Sequence, residues 1–143
     1  MNVLVTGGMG FIGANFIEHI INKDSVKNIF NIDCPSRISS AANTGNTKEF
    51  ERNQKYFFKD IWLEYFDNSI VLKQFRNLFE TFEIDTIVHF AAESHVDNSI
   101  TGPRQFVLSN VIGTFNLLEM CRVHYPKTRF HHISTDEVYG ALG

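Results

Sequence analysis

The chain has 143 residues, 43% of them hydrophobic and 20% charged, with a formal net charge of -3. That length suits one domain with a real core, and the charge balance removes any electrostatic case for nucleic acid or an anionic membrane as partner. Two cysteines, Cys34 and Cys121, are too few for a disulfide framework, no apolar run approaches the ~20 residues that span a bilayer, and the first residues lack the basic leader of a signal peptide, so a reducing, cytoplasmic setting is expected.

Residues 2–6 form a valine-rich apolar run stopped by glycines, which reads as a buried parallel strand. Ile12, Phe16 and Ile20, with Ile17 and Ile21 beside them, recur at helical spacing; they predict a helix with this stripe on a sheet, ending at Asn22-Lys23-Asp24. Residues 29–33 read as a second strand, 34–47 as a loop rich in Ser, Ala, Asn and Gly, and 56–59, ending at Asp60, as a third strand. Val71, Phe75, Leu78, Phe79 and Phe82 predict an amphipathic helix over 70–82, and 86–92 reads as a fourth strand. Thr101-Gly102-Pro103 is a helix start; that helix runs to about Tyr125, where Pro126 stops it, and 129–134 reads as a fifth strand.

Strands and helices alternate throughout, which implies an α/β fold: a doubly wound parallel sheet of about five strands joined by right-handed crossovers. The helix after Pro103 is apolar around most of its circumference, so a second covered face such as a subunit interface competes with simple deep burial. The 14 phenylalanines read as core filler.

Between the first strand and the first helix stands Thr6-Gly7-Gly8-Met9-Gly10-Phe11-Ile12-Gly13, which fits both GxGxxG from Gly8 and GxxGxxG from Gly7. Glycines here permit a tight turn and close approach of the backbone to a phosphate, and the free N–H groups of the helix's first turn favour an anion. The pattern implies a dinucleotide pyrophosphate on this loop. Asp33 follows Gly13 by 20 residues at a strand end. A carboxylate there accepts the adenosine ribose hydroxyls and repels a 2′-phosphate, so NAD is expected rather than NADP.

Three further strings carry a resemblance: Phe90-Ala91-Ala92-Glu93-Ser94-His95-Val96-Asp97, Ser109-Asn110-Val111-Ile112-Gly113-Thr114 and His132-Ile133-Ser134-Thr135-Asp136-Glu137-Val138-Tyr139-Gly140. With the glycine loop, they make the chain resemble the extended short-chain dehydrogenase/reductases, and among them the nucleotide-sugar 4,6-dehydratases. The resemblance implies that Gly7, Gly10, Phe11, Ile12, Gly13, Asp33, Asp60, Ile61, Ala91, Ala92 and Ser109 hold the cofactor and that Ser94 and Thr135 contact a nucleotide-sugar, dTDP- or UDP-glucose. It further implies a catalytic group of Thr135, Asp136 and Glu137. Hydride leaves sugar C4, Glu137 takes the C5 proton that the new ketone acidifies, Asp136 protonates the departing C6 hydroxyl, and the hydride returns to C6. On residue type alone, Asp-Glu at a strand end is a solvated turn; the surrounding match reverses that reading.

The chain departs from the family in two places. A Tyr-x-x-x-Lys pair does not follow Tyr139, and Cys34-Pro35-Ser36 stands where a basic residue and a Thr-Tyr-Ala-Gly-like turn are usual. We therefore expect residues 1–143 to be the NAD-binding domain at the N-terminal side of a larger enzyme, homodimeric when intact, without its C-terminal substrate domain and inactive alone. The rival readings are a related epimerase or decarboxylase and a non-catalytic NAD-binding regulatory module. No zinc site is expected, because His131 and His132 point to opposite faces of a strand while His89 and His95 lack partners at ligand spacing.

Overall fold

The computed structural model describes residues 1–35, 45–66 and 69–140, apart from the side chains of Asp136 and Glu137. Five strands, β1 (Asn2–Thr6), β2 (Asn28–Asp33), β3 (Tyr56–Asp60), β4 (Thr86–His89) and β5 (Arg129–His132), form one parallel sheet in the order β3-β2-β1-β4-β5. The order reverses between β1 and β4, as a doubly wound sheet requires. Helices α1 (Phe11–Ile21), α2 (Ser69–Phe82), α3 (Val96–Thr101) and α4 (Pro103–His124) connect the strands.

Two cores result, one on each face of the sheet. On one, Ile17, Ile20 and Ile21 of α1 pack with Val3, Val5, Ile29, Phe50 and Tyr56. On the other, Phe75, Leu78 and Phe79 of α2 and Leu117, Met120 and Cys121 of α4 meet Leu4, Phe30, Ile32 and Ile87. Burial of these apolar faces, worth about 25 cal/mol per Å², is the main force holding helices to sheet.

Five expectations change, the last of them at α4. Ile12 is 63% exposed, and the face of α1 on the sheet is Gly13, Ala14, Ile17, Ile20 and Ile21; the residue two places before Ala14 lies a half-turn away from it. The fourth strand ends at His89 and the fifth at His132, so Phe90–Ala92 and Ile133–Ser134 belong to the crevice rather than the sheet. A further helix, α3, precedes the one expected from Thr101-Gly102-Pro103. The phenylalanines divide: Phe30, Phe50, Phe66, Phe75 and Phe79 are buried, whereas Phe11, Phe57, Phe58 and Phe115 are exposed.

Helix α4 is 22 residues long and, by length and composition alone, apolar enough to cross a bilayer, contrary to the expectation that no run approaches that size. Leu117, Met120 and Cys121 seat it on the sheet, while Val107, Val111, Phe115 and Leu118 are exposed along one stripe. Its centre, Val107–Gly113, is π-helical.

Candidate functional site

Because all strands are parallel, their last residues, Thr6, Asp33, Asp60, His89 and His132, lie along one edge of the sheet. The crevice of such a fold opens at that edge, where the chain leaves β1 and β4 in opposite directions. The glycine loop leaves β1 and residues 90–94 leave β4. The two meet closely: a Cβ on Gly7 would stand 2.6 Å from the Ala91 nitrogen. Gly7 also has φ +72, a conformation that glycine alone adopts without strain. A Cβ on Gly13 would run into the Gly7 carbonyl oxygen, so the helix can begin this close to the strand only without a side chain there.

Most polar groups of the loop bond inward. The Gly7 N–H donates to the Ile32 carbonyl (2.9 Å), that of Gly10 to the Gly7 carbonyl (3.1 Å), and that of Ala14 to the Gly10 carbonyl (2.9 Å). The Gly8 N–H donates to Asn31 Oδ1 (3.1 Å) and the Met9 N–H to Asp33 Oδ2 (2.8 Å). The N–H groups of Phe11, Ile12 and Gly13, the first turn of α1, meet no acceptor among the described residues. These donors, at the positive end of the helix dipole, are the fit of this loop to a pyrophosphate.

Asp33 sits beside them. Its Oδ1 accepts the Cys34 N–H (2.8 Å), and its register partner on β3 is Asp60. Burial pushes the Asp33 carboxyl above the ordinary 3.8, opposed by its bonds from Met9 and Cys34 and helped by the charges of Asp60 and Glu93. Each carboxylate oxygen accepts a single backbone N–H, which leaves lone pairs for ribose hydroxyls. Ile61 is buried and donates its N–H to the Asp33 carbonyl (3.3 Å). Thus Gly7, Gly10, Phe11, Ile12, Gly13, Asp33, Asp60, Ile61 and Ala91 form one contiguous rim. A cavity of about 410 Å³ lies on its flank, lined by Asp60, Ile61, Trp62, Tyr65, Val71 and Gln74, and meets the rim only at Asp60 and Ile61.

Across the crevice, Asn110 of the π segment clamps the strap after β4: its Oδ1 accepts the Glu93 N–H (2.8 Å) and its Nδ2 donates to the Glu93 carbonyl (2.9 Å). Ser109 is the half-buried neighbour of that clamp, and Ala92 and Ser94 are exposed on the strap. Below them His89, 1% exposed, is bonded by Thr6 Oγ1 at Nδ1 (2.5 Å) and Thr114 Oγ1 at Nε2 (2.9 Å), with the His132 ring stacked at 5.2 Å. Burial, with the His132 charge in support, pushes His89 down to about 4, so it is neutral at pH 7.

The Ile133 N–H donates to the His89 carbonyl (3.0 Å), which carries the chain from β5 toward the same crevice. Thr135 is exposed and Asp136–Tyr139 forms one 3-10 turn. The carboxyls of Asp136 and Glu137 lie outside the described residues, as does Ser36 of the loop after Asp33.

Asn31, Tyr56, Asn110, Thr114 and His89 escaped the sequence reading as site residues. For Asn31 there was a signal, an amide in the otherwise apolar strand Ile29-Phe30-Asn31-Ile32, where a polar group survives only if bonded.

Residues 4–143 match the GDP-mannose 4,6 dehydratase family. The dTDP-glucose 4,6-dehydratase of Haemophilus influenzae is 43% identical over 99% of this chain, which spans 41% of that relative. Among solved structures, DesIV of Streptomyces venezuelae, a dTDP-glucose 4,6-dehydratase with NAD and TYD bound, superposes with TM-score 0.80 at 35% identity over 100% of this chain and 42% of that one. The UDP-glucuronic acid 4-epimerase of Bacillus cereus, in its Y149F form with NAD and a fluorinated UDP-sugar, gives TM-score 0.79 at 29% identity over 100% of this chain and 43% of that one.

Proposed function

The chain belongs to the GDP-mannose 4,6 dehydratase family, and on that premise we propose that it is the NAD-binding domain of a nucleotide-sugar 4,6-dehydratase acting on dTDP- or UDP-glucose. The observation that carries the cofactor reading is the row of unengaged N–H groups at Phe11, Ile12 and Gly13 beside the Asp33 carboxyl. Those donors take the pyrophosphate; Asp33 takes the adenosine ribose and disfavours a 2′-phosphate. Asp60, Ile61, Ala91, Ala92 and Ser109 line the remainder.

NAD, when bound, supplies the acceptor for the C4 hydride and its return to C6. This chain contributes the acid and base. Glu137, ionised, removes the C5 proton; Asp136, protonated, gives its proton to the C6 hydroxyl as it leaves; Ser94 and Thr135 hold the sugar between them. Elimination needs that division of labour, one group to accept a proton and one to give it. The group that removes the C4 hydroxyl proton, and the part that grips the nucleotide, belong in this proposal to further chain.

The intact protein is also proposed to be a homodimer, with the exposed Val107, Val111, Phe115 and Leu118 stripe of α4 in the subunit contact. Calorimetric titration tests the cofactor step: NAD is expected to bind and NADP to bind at least about tenfold more weakly. Absence of heat at millimolar NAD would remove the reading. The B. cereus neighbour favours a second reading, a sugar-nucleotide epimerase. Incubating the full-length protein with NAD and dTDP-glucose separates the two: a 4-keto-6-deoxy product supports the dehydratase, and an epimer without loss of water supports the alternative.

A further inference from the structure

The glycine loop is held from below by a buried chain of side chains that neither the motif nor the mechanism uses. Asn31 is 0% exposed, Tyr56 7% and Thr47 3%. Asn31 Oδ1 accepts the Gly8 N–H (3.1 Å), and its Nδ2 donates to the Tyr56 hydroxyl (2.9 Å). That hydroxyl is hydrogen-bonded in turn to the Thr47 side chain, and the Tyr56 ring packs on Phe50 at 5.8 Å. From the same segment Asn46 Nδ2 donates to the Met9 carbonyl (3.0 Å).

The amide is matched to both neighbours. Position 31 must offer an acceptor to Gly8 and a donor to Tyr56 without solvent; a carboxylate would bring a buried charge and no donor, and an apolar side chain would leave a buried N–H unpaired. Its strand neighbours Ile29, Phe30 and Ile32 are all apolar and buried, and its partners are the Gly8 N–H and the Tyr56 hydroxyl.

We propose that Asn31, backed by Tyr56 and Thr47, is the positioning residue of the pyrophosphate loop: it turns the Gly8 peptide inward and thereby sets the Phe11, Ile12 and Gly13 N–H groups outward at the phosphates. This deepens the cofactor reading above and rests on it. Asn31 touches no phosphate itself. Its effect is therefore confined to ligands that carry a pyrophosphate, whereas adenosine, bound through Asp33 and the rim of β3, is indifferent to it.

The test compares NAD, ADP and adenosine binding to the chain with Asn31 or Leu at position 31, alongside hydrogen exchange of the Gly8 amide without ligand. In Asn31→Leu we expect NAD and ADP to bind about tenfold or more weakly, adenosine to stay within about twofold, and Gly8 exchange to accelerate about tenfold or more. Equal weakening of all three ligands, or unchanged Gly8 exchange, overturns the proposal. Should Asn31→Leu not fold, Tyr56→Phe keeps the ring and removes only the hydroxyl, and is expected to move the same readouts in the same pattern by about threefold. If the unaltered chain binds neither NAD nor ADP, the cofactor reading fails by itself, and Gly8 exchange in the two variants still decides whether Asn31 holds the loop.

Discussion

The two sides of the crevice are built differently. Around β1 and β2 the loop is anchored at nearly every peptide: Gly7 to Ile32, Gly8 to Asn31, Met9 to Asp33 and Asn46. Around β5, the sheet's edge, Arg129, His131 and His132 are exposed and the following turn carries Val138 and Tyr139 at 64% and 86% exposure. A pyrophosphate site needs donors fixed before the ligand arrives, since every group frozen on binding subtracts from affinity. The acid and base of the proposed function must instead meet a substrate, and the described neighbours of Asp136 and Glu137, namely Thr135, Val138 and Tyr139, are exposed. The contrast teaches that the glycine loop is fixed by this chain's own interior, whereas the turn after β5 is left open by packing among the described residues.

The seam between the two sides is His89, and it gives the largest expected effect. Its pKa in the fold, about 4, lies below the ordinary 6.5. The unfolded chain therefore binds more protons between those values, so stability is full above pH 6.5, falls as pH drops toward 4 and levels below that. The loss is on the order of 3 kcal/mol. Urea midpoints across that window check it, and His89→Gln should flatten the slope while lowering stability at pH 7. A slope unchanged by the substitution would place the acid sensitivity on the exposed edge instead.

Next is the loop. Gly13→Ala drives a Cβ into the Gly7 carbonyl, an overpacking that costs about 1–3 kcal/mol; NAD affinity should drop at least about tenfold by calorimetry. Asp33→Asn, with its bonds to Met9 and Cys34 partly kept, should weaken NAD by about tenfold and narrow the preference over NADP. In the unaltered chain the raised Asp33 pKa means that ribose binding needs deprotonation above the ordinary 3.8, so NAD affinity should decline on acidification while still above that pH.

The smallest effect sharpens the comparison most. Glu137→Gln and Asp136→Asn should leave NAD affinity within about twofold and stability within about 0.5 kcal/mol, because the described residues flanking them, Thr135, Val138 and Tyr139, are exposed. On the proposed function, the same substitutions in the full-length protein should abolish most formation of the 4-keto-6-deoxy product. A loss of NAD affinity in the chain itself would show the two sides to be coupled.

Much of this was legible in the amino-acid order. Strand and helix periodicity, the glycine spacing and Asp33 at a strand end are local patterns, and they determined the parallel α/β fold, the phosphate loop and the family resemblance, because each depends on residues close together in the chain. Tertiary structure alone decided which strand ends face one another, where β4 and β5 stop, and how the π turn of α4 aims Asn110 at Glu93. It also decided that Asn31, 23 residues from Gly8, and His89, 83 residues from Thr6, are bonded to the loop and its strand. Such bonds join residues distant in the chain. What specifies them is the desolvation of a buried amide or imidazole, a cost that arises only once the sheet has closed over it.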